Sequence, residues 1–76
     1  MTAEQMFEAL GYNLYTANNN GVVYKGSDST MYDSIAITQY DFGLEFQTGY
    51  ERDMTVWVDI KLYKAIAQQM KELGWL

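Results

Sequence analysis

Cysteine, histidine and proline are all missing from this chain of 76 residues. Without cysteine there is no disulfide framework, no thiolate metal site and no cysteine nucleophile, so a domain this small is held together by packing alone. Without histidine the commonest general base, proton shuttle and transition-metal ligand is gone, and zinc chemistry and Ser-His-Asp hydrolysis within the chain go with it. No stretch approaches the roughly 18 apolar residues of a membrane span, and Met1-Thr2-Ala3-Glu4-Gln5 has neither the positive region nor the apolar core of a signal peptide. These absences predict a cytoplasmic protein with no membrane partner. Cations are scarce too: five Lys and Arg face ten Asp and Glu, a net charge of −5. Such a balance argues against direct binding to nucleic-acid phosphates.

What is present is one small domain, residues 1–76, with 49% hydrophobic positions and seven tyrosines. Its charge is unevenly spread. Between Gly26 and Ile60 seven acids (Asp28, Asp33, Asp41, Glu45, Glu51, Asp53 and Asp59) face the single Arg52, whereas Lys61, Lys64 and Lys71 face only Glu72 afterwards.

Thr2-Ala3-Glu4-Gln5 fits a capping box, and apolar residues at Ala3, Met6, Phe7 and Leu10 follow the spacing of one helical face. Gly11 stands where a left-handed residue ends a helix, with Tyr12 placed to fold back onto Phe7. The first helix is expected over about residues 3–10. A period near two then marks a strand from Tyr12. Asn20-Gly21 suits the two positive φ angles of a type I′ turn, and Val22-Val23-Tyr24-Lys25 returns as the second strand, with either valine able to face inward. Gly26 to Thr30 reads as a surface loop. Ile35 and Ile37 mark a third strand, Asp41-Phe42-Gly43 a turn, Leu44 and Phe46 a fourth strand, and Met54, Val56 and Val58 a fifth. Asp59 is the expected N-cap of a closing helix over about residues 60–73, which ends in Leu73-Gly74-Trp75 as the first ends in Leu10-Gly11-Tyr12.

The predicted fold is α+β: a four- to five-stranded antiparallel sheet with N- and C-terminal helices packed on one face. The expected core is Met6, Phe7, Leu10, Leu14, Ile35, Ile37, Leu44, Phe46, Val56, Val58, Ile66, Met70 and Leu73. Phe7-Glu8-Ala9-Leu10-Gly11-Tyr12, with Ala65-Ile66 and Glu72-Leu73-Gly74-Trp75, resembles the ends of small uncharacterised proteins of Firmicutes and their prophages. Those often open with a helix ending F-x-x-L-G-Y and close with one ending E-L-G-W. The resemblance covers about a third of the chain and implies a bacterial or phage source and an α+β fold, with no activity to carry over.

Chemistry-bearing constellations are thin. Asp28 to Asp33 lacks the glycine and glutamate of a calcium loop, so no metal site is expected. The pairs Asp41/Glu45 and Glu51/Asp53 sit beside turns of a domain too thin for a deep cleft. Ser27, Ser29 and Ser34 have no base partner except lysine. Gly21, Gly26, Gly43 and Gly49 are spread over separate turns with no phosphate-binding spacing. No cofactor and no catalytic residue are expected. The aromatic excess points instead to contact surface, because a ring with a hydroxyl tip covers much area with little entropy loss. Alternation puts Tyr15, Ala36, Thr38, Tyr40, Glu45, Gln47, Thr55 and Trp57 on the sheet face away from the helices. The expectation is a non-enzymatic protein-interaction module, phage- or prophage-associated. Tyr40, Asp41, Glu45 and Trp57 would bind a protein partner or a second copy. A sharper form has the acids imitate a phosphate backbone and inhibit a nucleic-acid-binding host protein. The alternative is a small-ligand or enzyme-accessory domain.

Overall fold

A computed structural model describes residues 1–47 and 57–76. In chain order it holds α1 (Ala3–Ala9), β1 (Tyr12–Asn18), β2 (Gly21–Gly26), β3 (Tyr32–Ile37), β4 (Phe42–Phe46) and α2 (Ile60–Glu72). The strands form one antiparallel sheet in the order β1-β2-β3-β4, so each lies beside its chain neighbours, and the fold is α+β as the sequence predicts. The expected fifth strand begins at Met54; residues 54–56 lie outside the described residues, and Trp57 and Val58 belong to no strand. No described helix is long and apolar enough to cross a membrane.

The helix ends are built as their residues dictate. The Thr2 hydroxyl accepts from the Gln5 amide at 3.2 Å while the Thr2 amide donates to Gln5 Oε1 at 2.9 Å, completing the capping box. Asp59 caps α2, its Oδ1 accepting from the Lys61 amide at 2.6 Å. Gly11 and Gly74 take φ of 95° and 77°, the left-handed conformation that stops each helix. At the second stop the Trp75 amide reaches back to the Met70 carbonyl at 2.8 Å and the Gly74 amide to Lys71 at 3.1 Å.

The core lies between the helices and one face of the sheet. Val22 pairs with Ile37 and Tyr24 with Ile35, which puts all four side chains on the helix side. Val22 is the inward valine. Phe7 from α1 stacks on Tyr24 with ring centroids 3.8 Å apart, and Tyr12 meets the Phe7 ring edge-on at 6.4 Å. Leu62, Ala65 and Ile66 of α2 close the cluster. Of the expected core, Phe7, Ile35, Ile37 and Ile66 are buried, and Met6, Leu10, Leu44, Phe46 and Met70 pack against them half-buried. Val56 lies outside the described residues.

Three expected core residues are surface residues: Leu14 is 41% exposed, Val58 37% and Leu73 40%. Leu14 does share a face with its partner Tyr24, but β1 stands at the end of the sheet and, among the described residues, nothing beyond it covers the leucine. Leu73 is the C-cap of α2, and Val58 lies outside the sheet altogether. Tyr12, Tyr24 and Tyr32 fill the volume instead.

Two turns also depart from expectation. The β1–β2 connection is Asn19-Asn20. Among the described residues only Gly11 and Gly74 have positive φ, so this is no type I′ turn. The Asn18 side chain holds it, its Oδ1 accepting from the amides of Asn20 (2.8 Å) and Gly21 (3.2 Å). Gly21 is needed for another reason: a β-carbon there would stand 2.7 Å from the Ile37 carbonyl oxygen. The β3–β4 turn spans Thr38 to Asp41 rather than Asp41 to Gly43, because the Thr38 hydroxyl organises it, donating to Asp41 Oδ1 at 2.6 Å and accepting from the amides of Tyr40 and Asp41. Gly26 ends β2 rather than opening a loop, and Thr30 is buried, its hydroxyl 2.8 Å from the carbonyls of Ser27 and Tyr32.

Candidate interaction surface

Two rows of paired residues form the sheet face away from the core. One runs Thr16, Val23, Ala36, Gly43 and the other Asn13, Lys25, Ser34, Glu45. The first row is a floor of small side chains. A β-carbon on Gly43 would meet nothing within 4 Å, and Phe7, Leu62, Ala65 and Ile66 of the helices join the cluster on the opposite face. The second row is polar and tied together. Ser34 Oγ donates to Glu45 Oε1 at 3.2 Å, and Lys25 Nζ lies 3.6 Å from the Asp33 carboxylate and 5.3 Å from the centre of the Tyr15 ring. Tyr15 stands out at the irregularity where β1 shifts register between Leu14 and Thr16.

The four residues expected to bind a partner fall in two places. Tyr40, 85% exposed, projects from the β3–β4 turn beside Asp41, and Glu45 follows on β4. Trp57 is 80% exposed but does not lie on the sheet. It sits in the segment leading into α2, where its carbonyl accepts from the Tyr32 hydroxyl at 3.4 Å. Tyr32 opens β3 and the Tyr40 turn follows the strand's other end, so Trp57 stands apart from Tyr40 and Asp41, whereas Glu45 precedes Phe46, the partner of Tyr32, and lies toward the Tyr32 end of the sheet. It lines a cleft of about 300 Å³ with Leu10, Tyr12, Met31, Tyr32 and Leu62. Burial, and secondarily Tyr12, pushes the Tyr32 hydroxyl above its ordinary pKa, so it remains a neutral donor.

The acidic middle is partly occupied by structural work. Asp33 faces Lys25, Asp41 holds the turn and Asp59 caps α2, while Asp28 and Glu45 remain on the surface. Glu51, Asp53 and Thr55 lie outside the described residues. Among the described residues no group of three or more acids is placed to hold a metal ion.

A groove that periodicity did not indicate runs beside β1 on the helix side. It has a volume of about 300 Å³, with Leu14, Ala17 and Leu73 as apolar walls and Glu4 and Glu72 among its polar lining. Glu72 Oε2 accepts from the Ala3 amide at 2.8 Å and from Gln68 Nε2 at 3.0 Å, joining the end of α2 to the start of α1. At the floor the Tyr24 hydroxyl donates to Gln69 Oε1 at 2.5 Å. Burial first, then the carboxylates of Glu4, Glu72 and Glu8, push its pKa up to about 12. The signal available in the sequence was Leu14 itself, an apolar residue on the strand that begins the sheet.

No family model, no curated protein and no solved structure matches this chain.

Proposed function

We propose that the chain is a non-enzymatic protein-interaction module, phage- or prophage-associated and cytoplasmic, that presents the outer face of its sheet to a protein partner. The observation that carries this reading is the outer row Thr16, Val23, Ala36, Gly43, among the described residues exposed at Ala36 and Gly43 and half-exposed at Thr16 and Val23, whose small side chains let a partner's backbone come close, with Tyr40, Asp41 and Glu45 along its border. Exposed acids at the border would steer a basic partner toward it, and in the sharper form of the proposal that partner is a host protein whose groove otherwise takes nucleic acid.

A photo-crosslinking aromatic in place of Tyr40, whose own ring projects at the border of the floor, tests this in bacterial cells, with a second at position 64 on α2 as control. The expected result is a discrete crosslinked partner from position 40 alone, lost when Ala36→Arg roughens the floor and weakened by Asp41→Lys with Glu45→Lys. Crosslinking from position 64 alone, or a partner indifferent to all three changes, would remove the outer face from the proposal. The cleft under Trp57 favours a second reading, a small-ligand domain. That reading expects the fluorescence of Trp57 in a Trp75→Phe background to respond to small molecules and not to proteins.

A further inference from the structure

We infer that β1 is an acceptor edge, to which an extended segment of a partner protein adds as a further strand, placing an apolar side chain flanked by two basic ones into the groove beside it. This rests on the reading of the chain as a protein-interaction module and names a contact and a partner chemistry within it.

The main chain makes the first argument. Among the described residues the strand order puts β1 at the end of the sheet, with β2 on one side only. Natural edge strands are usually blunted by short length, by lysine, by proline or by a bulge. β1 is the longest strand, at seven residues, and has no charged residue and no proline; the register shift near Tyr15 is its one irregularity. An edge of this kind supplies amides and carbonyls at the repeat an extended peptide needs.

The groove makes the second argument. A strand added beside β1 turns alternate side chains toward the helix side, where Leu14 and Leu73 stand exposed around a volume of about 300 Å³. A valine or leucine would cover both. Among the described residues the only ionisable side chains lining the groove besides Tyr24 are Glu4 and Glu72. Residues two before and two after the apolar one point the same way, so lysine or arginine at those positions meets the two carboxylates. After burial, the largest cause, these carboxylates together with Glu8 add to the upward push on the pKa of the Tyr24 hydroxyl at the floor of the groove. The motif is therefore basic-x-apolar-x-basic in an extended conformation. A second copy of this chain does not fit: its own β1, Tyr-Asn-Leu-Tyr-Thr-Ala-Asn, brings no cation to the two glutamates.

The test titrates isotope-labelled full chain with an end-blocked peptide containing Lys-Thr-Val-Thr-Lys and follows amide resonances. The expected shifts fall on residues 13–18 and around Leu73, and the affinity drops by roughly fivefold or more with Glu4→Lys and with salt raised toward 1 M. Leu14→Arg gives a similar loss, with circular dichroism confirming that both variants are folded. A Glu-Thr-Val-Thr-Glu peptide, or the lysine peptide N-methylated at alternate residues to block its donors, should not bind. Equal binding of either control, shifts confined to Val23, Ala36 and Gly43, or no shifts at all would overturn the edge proposal. So would concentration-dependent shifts in residues 13–18 without peptide, which would seat a second copy there. None of these outcomes touches crosslinking from position 40, on which the broader reading depends.

Discussion

Leu-Gly-aromatic ends both helices, and the two corners have the same backbone geometry but different surroundings. At α1 the left-handed Gly11 is pressed against Thr30, whose Cγ2 would lie 3.0 Å from an added β-carbon, and the following Tyr12 is a core residue. At α2 the left-handed Gly74 has nothing within 4 Å of that position, and the preceding Leu73 is exposed. The same three-residue signal therefore closes a helix in both places, but its aromatic is buried within the core only at the first, Trp75 packing half-buried against the cluster at the second. Local chemistry sets the stop; what the chain packs against it sets how much the stop matters.

The largest expected effect comes from the node behind the first corner. Tyr12 pairs with Gly26, and a β-carbon on Gly26 would overlap Thr30 Oγ1 and the Tyr32 carbonyl oxygen, both part of the buried turn. Neither is the free end of a flexible side chain. Gly26→Ala should destabilise the fold by about 3 kcal/mol or more, enough to unfold a domain of this size. Chemical denaturation measures it. A cost under about 1 kcal/mol would mean that the loop from Ser27 to Met31 is not anchored as described.

The corners themselves come next. Alanine in a left-handed conformation costs on the order of 1 kcal/mol, which is all that Gly74→Ala should lose. Gly11→Ala adds the contact with Thr30 and should cost about 2 kcal/mol. Paired urea midpoints decide it, and the double variant Gly11→Ala with Thr30→Ser should recover part of the difference by removing Cγ2. Equal costs at the two glycines would show that the corners do not differ.

Much of this architecture was legible and some was not, for reasons that particular residues make plain. Thr2, Gln5, Gly11, Asp59 and Gly74 act within four or five residues of themselves, so their spacing carries their role. The alternation of Ile35, Ile37, Leu44 and Phe46 likewise gave the inward face of β3 and β4. Alternation gives a face and not its cover: Leu14 points toward the helix side of the sheet but lies on an edge, and Trp57 gets a parity from a strand to which it does not belong. Tyrosine was ambiguous in a different way. Its ring suits a core as well as an interface, and Tyr24 is buried because Gln69, 45 positions away, accepts its hydroxyl proton. Gly21 and Gly26 look in sequence like turn residues with free backbone angles; their reason is the close approach of another segment.

Tyr24 sharpens the comparison, since it stacks on Phe7 from the anchored helix and donates to Gln69 on the other. Tyr24→Phe keeps the ring and removes the bond, leaving Gln69 Oε1 short of a donor, for a loss of about 1 to 2 kcal/mol. The pH dependence has a definite sign. The folded chain holds the Tyr24 proton up to a pKa of about 12 against an ordinary value of 10.0. The unfolded chain therefore loses its proton first, and this contribution is fully present below about pH 10 and declines as pH rises toward 12. Urea unfolding at about pH 8 and about pH 11 should show the wild type losing stability between them and Tyr24→Phe losing less, with Tyr32, also shifted upward, accounting for part of the remainder. An unchanged slope in the variant would place the titration elsewhere.

The smallest expected effect has the opposite sign. Gly43 lies in β4 without a positive φ, and an added β-carbon would meet nothing within 4 Å. None of the reasons that hold glycine at positions 11, 21, 26 or 74 applies to its backbone. Gly43→Ala should then stabilise the domain by about 0.5 kcal/mol, through fewer conformations in the unfolded chain and a better strand former in the folded one. The same methyl group stands beside Ala36 on the floor of the proposed docking face, where it would hold a closely approaching partner away. Stability and association should therefore move in opposite directions in this one variant, the first read by thermal unfolding and the second by loss of crosslinking from position 40 at the border of the floor. A stabilised variant that still binds fully would mean that the partner does not approach the Gly43 backbone. A destabilised one would mean that the backbone of β4 needs glycine for a reason its local geometry does not contain.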